Sequence, residues 1–136
     1  PGTEEKLLRE KDESILHRFG MDHLKDELMD NLPYGRQKIS EIARAMMTDP
    51  QLILLDEPAA GLNPSERAEL VKIVQKIFDD GTDFFLIEHN MDVVMTICHE
   101  LTVLNFGSKI ADGNPKEVQN NEEVVKAYLG SRYKAV

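Results

Sequence analysis

Two adjacent carboxylates, Asp56 and Glu57, directly follow an apolar run at residues 52–55 and are themselves followed by Pro58. A continuous apolar run bounded in this way predicts a fully buried strand of a parallel sheet. The carboxyl edge of such a sheet is where open α/β proteins bind their ligands. Two acids at that edge are costly unless they are solvated or hold a cation. The pair therefore indicates either a cation site or a solvated acidic loop.

A second apolar run, at residues 84–87, ends in Glu88 and His89. The residues between the two runs carry a helical pattern, and a strand–helix–strand unit places its two strand ends side by side. Asp56 as a magnesium ligand, Glu57 as a base and His89 as an imidazole would then converge on one point. That set suits hydrolysis of a phosphoanhydride, since the metal neutralises charge, the carboxylate orients water and the imidazole contacts the terminal phosphate.

A candidate anion site lies at residues 31–37, Asn-Leu-Pro-Tyr-Gly-Arg-Gln, which lead into a helix. The apolar residues of that helix recur at i, i+3, i+4 and i+7, as Ile39, Ile42, Ala43 and Met46. The backbone N–H groups of Gly35, Arg36 and Gln37 would lie at the helix start, where unpaired donors and the helix dipole attract anions. On the sequence alone a simple turn is the better interpretation, because short turns that contain glycine are common.

The rest of the chain alternates between helical and strand patterns, which predicts an α/β fold. Asn63-Pro64-Ser65-Glu66 combines a cap residue, a proline at the first helical position and the glutamate of a capping box, and the pattern recurs at residues 114–117. The first part of the chain is predicted to form helices at 4–19 and 21–29, the helix after the candidate anion site, a strand at 52–55, a helix at 63–78 and a strand at 84–87. A short helix capped by Asn90 follows, and then a strand at 101–104 that forms a hairpin with 109–111. Two short helices complete the prediction, the second ending near residues 129–130.

Composition and charge exclude several classes of protein. The chain has 136 residues, of which 41% are hydrophobic and 30% charged, enough for one globular domain with a core or for a core with a small appendage. Its net charge of −9 argues against a general nucleic-acid binder. Its longest apolar runs are too short to span a membrane. Cys98, the single cysteine, lies in an apolar stretch and is expected to be a buried core thiol rather than a nucleophile.

Four segments together resemble the motifs of ABC transporter ATPases, in the order and spacing of that family. Residues 31–45 resemble the signature loop and helix, residues 52–58 the Walker B strand with its catalytic glutamate, residues 60–63 the D-loop, and His89 the switch histidine. The sequences Leu-Pro-Tyr-Gly at 32–35, Glu-Pro-Ala-Ala-Gly-Leu-Asn-Pro at 57–64 and Val-Lys-Ala-Tyr-Leu-Gly at 125–130 look closest to the ATP-binding subunits of branched-chain amino acid importers, the LivG-like group.

The resemblance implies a role for each matching residue. Asp56 would serve Mg²⁺, usually through water, Glu57 would be the general base, and His89 would contact the γ-phosphate of ATP. The signature-loop residues Leu32, Pro33, Tyr34, Gly35, Arg36 and Gln37 would face an ATP bound mainly by a second ATPase subunit, and the D-loop residues Ala60, Gly61, Leu62 and Asn63 would lie at the same dimer interface.

The signature loop departs from the commonest family pattern. Pro33 stands in place of the serine whose hydroxyl contacts the γ-phosphate, and Tyr34 stands in place of a glycine. The LivG-like group shares both departures. Arg36 stands where glutamine is common, close to the candidate anion site.

The resemblance also implies a partial P-loop NTPase sheet. Residues 1–48 would be part of the helical signature subdomain, and residues 49–136 the C-terminal part of the RecA-like ATPase core. No G-x-x-x-x-G-K-[ST] phosphate loop occurs in the sequence, and the family places that loop upstream of these motifs. The chain is therefore expected to be the C-terminal half of an ATPase and to be inactive alone, because the phosphate loop holds the β- and γ-phosphates.

For the complete protein the resemblance implies ATP hydrolysis that drives import of branched-chain amino acids. The subunit would be cytoplasmic, held at the inner face of the membrane by permease subunits, with no transmembrane segment of its own and no nucleic-acid partner. Two alternatives stay open: a non-catalytic module for dimerisation or permease docking, and the ATPase of a different ABC transport system. The motifs do not touch the transported solute, which the permease and a binding protein select.

Overall fold

The computed structural model describes residues 2–129, which form two compact units. Residues up to Leu86 belong to the first unit and residues from Ile87 to the second. The subdomain boundary predicted after residue 48 falls inside the first unit and stays a prediction. No helix within residues 2–129 is both long and apolar enough to cross a membrane.

The first unit combines long helices with a small sheet. In chain order it contains α1 (Thr3–Arg18), α2 (Tyr34–Met46), β1 (Leu52–Asp56), α3 (Pro64–Asp79) and β2 (Asp83–Ile87), whose last residue begins the second unit. These elements lie where the hydrophobic periodicity and the cap residues predict them. The alternation of helix and strand patterns is therefore confirmed for this unit.

The helix predicted at residues 21–29 is wrong. The segment forms single 3₁₀ turns at Asp22–Leu24 and Met29–Asn31 instead. Gly20, at φ +66°, ends the preceding helix, and Met21 alone is buried within residues 21–29. A short helix needs an apolar face packed on the core. The exposed acids and lysine of this segment do not provide one.

The core of the first unit includes the packed faces of α2 and α3. The predicted apolar face of α2 is confirmed, because all of its members are buried: Ile39, Ile42, Ala43 and Met46. The third helix contributes Leu70, Ile73, Val74 and Ile77. The capping box of Asn63 and Glu66, with Pro64 in the first turn, begins α3 as predicted. Local signals in the sequence thus place both helices that carry the candidate site.

The sheet of the first unit pairs β1 with β2, and α3 between them is the kind of crossover that parallel strands need. The prediction that these strands are fully buried is wrong. Ile53 is 6% exposed, whereas Leu52 and Leu54 are 53% and 70% exposed, and Phe85 is 60% exposed. Because successive side chains point to opposite faces of a strand, one face contributes to the core and the other is exposed. A continuous apolar run shows that both faces are apolar, not that both are covered.

The second unit is built on an antiparallel hairpin. It contains α4 (Met91–Ile97), β3 (Leu101–Asn105), β4 (Ser108–Gly113), α5 (Pro115–Gln119), α6 (Glu122–Val124) and a π-helical turn (Val125–Leu129). The hairpin runs from the pair of Leu101 with Gly113 to the pair of Asn105 with Ser108, as predicted.

Val118 and Val124 form the centre of the core of this second unit. Residues packed against them come from α4 and from both strands: Met91, Met95, Leu101, Val103, Ile110 and Ala111. Asn114 and Glu117 form the second predicted capping box, at the start of α5. The last short helix was predicted to end near Leu129 and Gly130, and Gly130 lies outside the described residues.

Leu70→Ala and Leu54→Ala form a matched pair, because the same atoms are removed at a position that is 1% exposed and at one that is 70% exposed. We expect Leu70→Ala to lower the free energy of unfolding by about 2–5 kcal/mol, the usual loss for a buried leucine. We expect Leu54→Ala to change it by no more than about 0.5 kcal/mol. Urea denaturation measures both values, and equal losses would contradict the exposed sheet face.

Candidate functional site

The signature loop, residues 32–37, forms the start of α2 and lacks a side-chain cap. Pro33 is the N-cap residue and makes no side-chain hydrogen bond to the helix. A helical backbone bond runs from Gln37 N to Pro33 O at 3.1 Å. The prediction that the N–H of Gln37 is an unpaired donor is therefore wrong. The N–H groups that have no acceptor within the helix are those of Tyr34, Gly35 and Arg36. Together with the helix dipole, these donors make this end of α2 attractive to an anion.

Side chains within and next to the signature loop stabilise its conformation. Gln37 Nε2 donates to the carbonyl of Leu32 at 3.0 Å. Lys38 Nζ lies 5.5 Å from the centroid of the Tyr34 ring, within the range of a cation–π contact. The contact of Lys38 places a positive charge beside the loop. Sequence reasoning missed this residue, although it directly follows the signature pattern.

Asp56 and Glu57 lie at the exposed end of β1. Asp56 is the last residue of the strand, and Glu57 has a left-handed backbone conformation at φ 48°. Residues other than glycine rarely adopt this conformation, and strained backbone of this kind clusters at active sites. Ala60 N donates to Glu57 O at 3.1 Å and closes a turn directly after the two acids. The pair is therefore accessible and its backbone is fixed.

The D-loop, residues 60–63, joins the two acids to α3 and ends in a set of hydrogen bonds. Asn63 Oδ1 accepts from Glu66 N at 2.9 Å, and Glu66 Oε2 accepts from Asn63 N at 2.9 Å. Arg67 Nη1 donates to the carbonyl of Leu62 at 2.7 Å. The end of the D-loop is thus fixed to the first turn of α3.

The signature loop and the D-loop region contact each other at two glycines. A Cβ atom added to Gly35 would lie 2.8 Å from Glu66 Cγ and 2.9 Å from Glu66 Cδ. A Cβ atom added to Gly61, which has φ +75°, would lie 3.0 Å from Tyr34 Cε1. These distances are shorter than the roughly 3.5–4.0 Å of a favourable carbon–carbon contact. Sequence reasoning selected these loops as site segments but did not predict that they contact each other.

Arg36 connects the signature loop to α3. Its Nη1 atom lies 2.8 Å from Glu69 Oε1. That nitrogen is fully buried and is not aligned for a hydrogen bond, so the contact is an ion pair. The predicted role of Arg36 beside an anion stays a prediction, and its guanidinium already has a carboxylate partner. Glu69, three residues after the capping Glu66, is a further contact that sequence reasoning missed.

His89 belongs to the second unit. It lies two residues after the end of β2 and is exposed. Glu88 Oε2 accepts hydrogen bonds from His89 N and Asn90 N, each at 3.0 Å. Asn90 Oδ1 accepts from Val93 N at 3.2 Å and caps α4, as predicted. The backbone of the predicted switch histidine is therefore well defined. Its convergence with the acids at the end of β1 stays a prediction.

Cys98 is half-buried at the end of α4. Burial, with a smaller contribution from the negative charge of Glu88, raises the pKa of its thiol. A raised pKa keeps the thiol protonated at neutral pH, and a protonated thiol is a poor nucleophile. The prediction that Cys98 is a buried core thiol is wrong, because the residue is only half-buried. Its raised pKa agrees with the expectation that it is not a nucleophile.

Asp56 has the ligand chemistry that Mg²⁺ requires. No group of three or more His, Cys, Asp or Glu side chains within residues 2–129 is arranged to hold a metal ion by itself. Mg²⁺ commonly binds one or two carboxylates and completes its coordination with water and substrate phosphates. An exposed carboxylate at a strand end, next to a second one, fits that mode. The assignment of Asp56 as a magnesium ligand stays a prediction.

Comparisons with known proteins agree with the motifs. A family model described as "ABC transporter" matches residues 3–60, and one described as "Branched-chain amino acid ATP-binding cassette transporter" matches residues 108–134. The high-affinity branched-chain amino acid transport ATP-binding protein LivG of Salmonella typhimurium is 44% identical over 116 residues, which are 85% of this chain and 46% of that protein. The lipopolysaccharide export system ATP-binding protein LptB of Haemophilus influenzae is 34% identical over 93% of this chain and 52% of that protein.

A solved structure shares the fold. The ADP conformation of MJ1267, an ATP-binding cassette of an ABC transporter, superposes with a TM-score of 0.84 at 35% sequence identity, over 96% of this chain and 52% of that one. The predicted partial ABC ATPase fold is thereby confirmed. The chain spans about half the length of the relatives that it matches.

Gly35→Ala tests the contact between the two loops. Alanine normally favours a helix over glycine by about 1 kcal/mol, but here its methyl group would overlap Glu66, which the capping box holds in place. We expect Gly35→Ala to lower the free energy of unfolding by about 1–3 kcal/mol. In a Glu66→Ala background the same substitution should be neutral or stabilising. Urea denaturation of the four proteins gives the coupling energy.

Glu117→Ala is the control for this cycle, because Glu117 belongs to the same kind of capping box on α5. In that background Gly35→Ala should keep its full effect. A coupling energy near zero between positions 35 and 66 would contradict the packing of Glu66 against Gly35.

Proposed function

The chain belongs to the ABC transporter family, and we propose that it is part of an ATP-binding subunit that hydrolyses ATP to drive import of branched-chain amino acids. One observation carries the ATPase part of this proposal. Within one unit, the uncapped start of α2 packs against the first turn of α3, which the D-loop joins to an exposed Asp-Glu pair. The match at residues 108–134 and the resemblance to LivG support the solute class.

The signature loop is proposed to bind the terminal phosphate of an ATP held mainly by a second ATPase subunit. Its N–H donors and the dipole of α2 suit a phosphate group, and Lys38 adds a positive charge at the Tyr34 ring. Pro33 provides no side-chain cap that would compete for these donors. The D-loop residues Ala60, Gly61, Leu62 and Asn63 are proposed to lie at the same interface, because they are packed against this loop or joined to it through α3.

Asp56 and Glu57 are proposed to act at the hydrolysed bond. Mg²⁺, when bound through Asp56 and its water, neutralises charge on the phosphates. Glu57 orients a water molecule and accepts its proton as the water attacks the γ-phosphate. The turn that starts at Glu57 restricts its backbone, which limits the positions of the carboxylate. His89 is proposed to hold the γ-phosphate by a hydrogen bond from its imidazole.

Two partners follow from the proposal. A second ATPase subunit supplies the rest of each nucleotide site, and permease subunits hold the assembly at the cytoplasmic face of the inner membrane. Residues 1–136 include no phosphate-loop sequence of the form G-x-x-x-x-G-K-[ST]. We therefore propose that these residues alone do not hydrolyse ATP and that catalysis requires the complete ATPase.

Glu57→Gln in the complete ATPase should abolish turnover and leave ATP binding intact. The amide keeps the size of the side chain but cannot accept a proton from water, and a lost general base typically lowers kcat by about 100-fold to 10⁴-fold. Phosphate release measures turnover, and equilibrium binding of labelled ATP measures affinity. Glu41→Gln, the same change at an exposed position on α2, is the control. Near wild-type hydrolysis by the Glu57 variant would remove Glu57 from the mechanism.

Export of a lipid is the second candidate function, because LptB is also similar over most of the chain. Its identity of 34% is lower than the 44% of LivG. Residues 108–134 additionally match the branched-chain amino acid family model. Import of an amino acid is therefore the function that the comparisons support better.

Transport of labelled leucine separates these two functions. Cells that carry the complete ATPase with its permeases should accumulate leucine, and Glu57→Gln should abolish the accumulation. Glycine, which has no branched side chain, is the matched control solute. Leucine uptake equal to that of cells without the ATPase would refute the importer assignment, even if purified protein hydrolysed ATP.

A further inference from the structure

Glu66 contacts two helix starts that are far apart in the sequence. On α3 it completes the capping box with Asn63 through two hydrogen bonds of 2.9 Å. On α2 its Cγ and Cδ atoms occupy the space next to Gly35, where an added Cβ would lie 2.8 and 2.9 Å away. One side chain therefore determines how closely the first turn of α2 approaches the first turn of α3.

The capping box prevents Glu66 from moving aside. The backbone N–H of Glu66 donates to Asn63 Oδ1, and Glu66 Oε2 accepts from Asn63 N. These two hydrogen bonds restrain both the backbone and the side-chain rotamer of Glu66. Glu117 forms the same box with Asn114, with hydrogen bonds of 3.0 Å. The glycine beside Glu117 is Gly113, which directly precedes that cap residue in the chain. Glu117 thus acts within one turn, whereas Glu66 also bridges to another helix.

Two further contacts join the same pair of segments. The Tyr34 ring packs against Gly61 of the D-loop, and Arg36 forms an ion pair with Glu69 of α3 at 2.8 Å. Together with Glu66 they connect the signature loop to both the D-loop and the helix that follows it. Each contact adds a restraint on the spacing between the two loops.

We propose that Glu66 is a positioning residue that sets the spacing between the signature loop and the D-loop at the nucleotide interface. This inference rests on the proposed function, which assigns both loops to the nucleotide interface. Glu66 does not touch the nucleotide. It acts through Gly35 on one side and through Asn63 on the other.

Loss of this spacer should affect turnover more than nucleotide affinity. Glu66→Ala removes the cap of α3 and leaves space beside Gly35, so the signature loop can shift relative to the D-loop. Displacement of a catalytic group by about 1 Å can lower a rate by about 100-fold. We expect kcat of the complete ATPase to fall between about tenfold and 100-fold. The affinity of the isolated subunit for ATP should stay within about twofold, because most of its contacts lie elsewhere.

Glu66→Gln tests whether the shape of the Glu66 side chain or its negative charge is responsible for the spacing. Glutamine has the same length and completes a capping box as glutamate does. We therefore expect Glu66→Gln to keep the wild-type kcat and the wild-type protection of both loops against amide hydrogen exchange. Glu117→Ala is the matched control for the loss of a capping box, because it removes the same side chain from the same kind of box.

The deciding experiment combines hydrogen exchange and ATPase kinetics on the complete subunit. In Glu66→Ala, amide exchange should rise by about fivefold or more, the effect of a lost cap, both at residues 60–66 and at the signature-loop amide of Gln37, which donates to Pro33 O. In Glu117→Ala it should rise only around residues 114–118. The kinetic measurements should show the fall in kcat for Glu66→Ala alone.

The outcomes separate this inference from the proposed function. Absence of ATP hydrolysis by the wild-type subunit with its partners would refute the proposed function. The exchange data would still show whether Glu66 sets the spacing between the two loops. Unchanged exchange of the signature loop in Glu66→Ala would overturn the inference. So would raised exchange with an unaltered kcat, or a loss of kcat in Glu117→Ala as large as that in Glu66→Ala.

Discussion

The absence of a side chain at Gly35 is the constraint on which the candidate site depends. Without a Cβ atom, the first turn of α2 can lie against the side chain of Glu66, and a methyl group would overlap it. This approach brings the signature loop next to the start of α3, which carries the D-loop at its N-terminal end. The position of the two acids at the end of β1 is tied to the same arrangement, because the D-loop connects them to α3. The approach of the signature loop to α3 thus depends on this pair, together with the contacts of Tyr34 with Gly61 and of Arg36 with Glu69.

The electrostatics of the two helix starts differ as a result. The first turn of α3 has one of its donors, the N–H of Glu66, satisfied by Asn63 and carries the charge of Glu66. The first turn of α2 has a proline at the cap position and no side-chain acceptor from it. The two neighbouring helix starts therefore differ in their caps: α3 has a capping box, and α2 has no side-chain cap from its own N-cap residue.

Features set by neighbouring residues could be predicted from the sequence. The two capping boxes, the apolar face of α2 and the β3–β4 hairpin all depend on residues that are close together in the sequence, and all were predicted correctly. The contact between Gly35 and Glu66 could not be predicted, because it depends on how two helices pack. The exposure of Leu54 could not be predicted either, since periodicity reports the polarity of a strand face but not what covers it. The helix expected at residues 21–29 failed for a related reason: its pattern lacked a packed partner.

The exposed face of the first sheet has a consequence for the chain in solution. Leu52, Leu54 and Phe85 present apolar surface to water, while a net charge of −9 makes copies of the chain repel one another. Added salt weakens the charge repulsion between copies and strengthens the attraction between their apolar surfaces. It shortens the Debye length from about 10 Å at 0.1 M to about 3 Å at 1 M, and salts such as sulfate also strengthen the association of apolar surfaces. Added salt therefore favours contact between the exposed sheet faces of two copies.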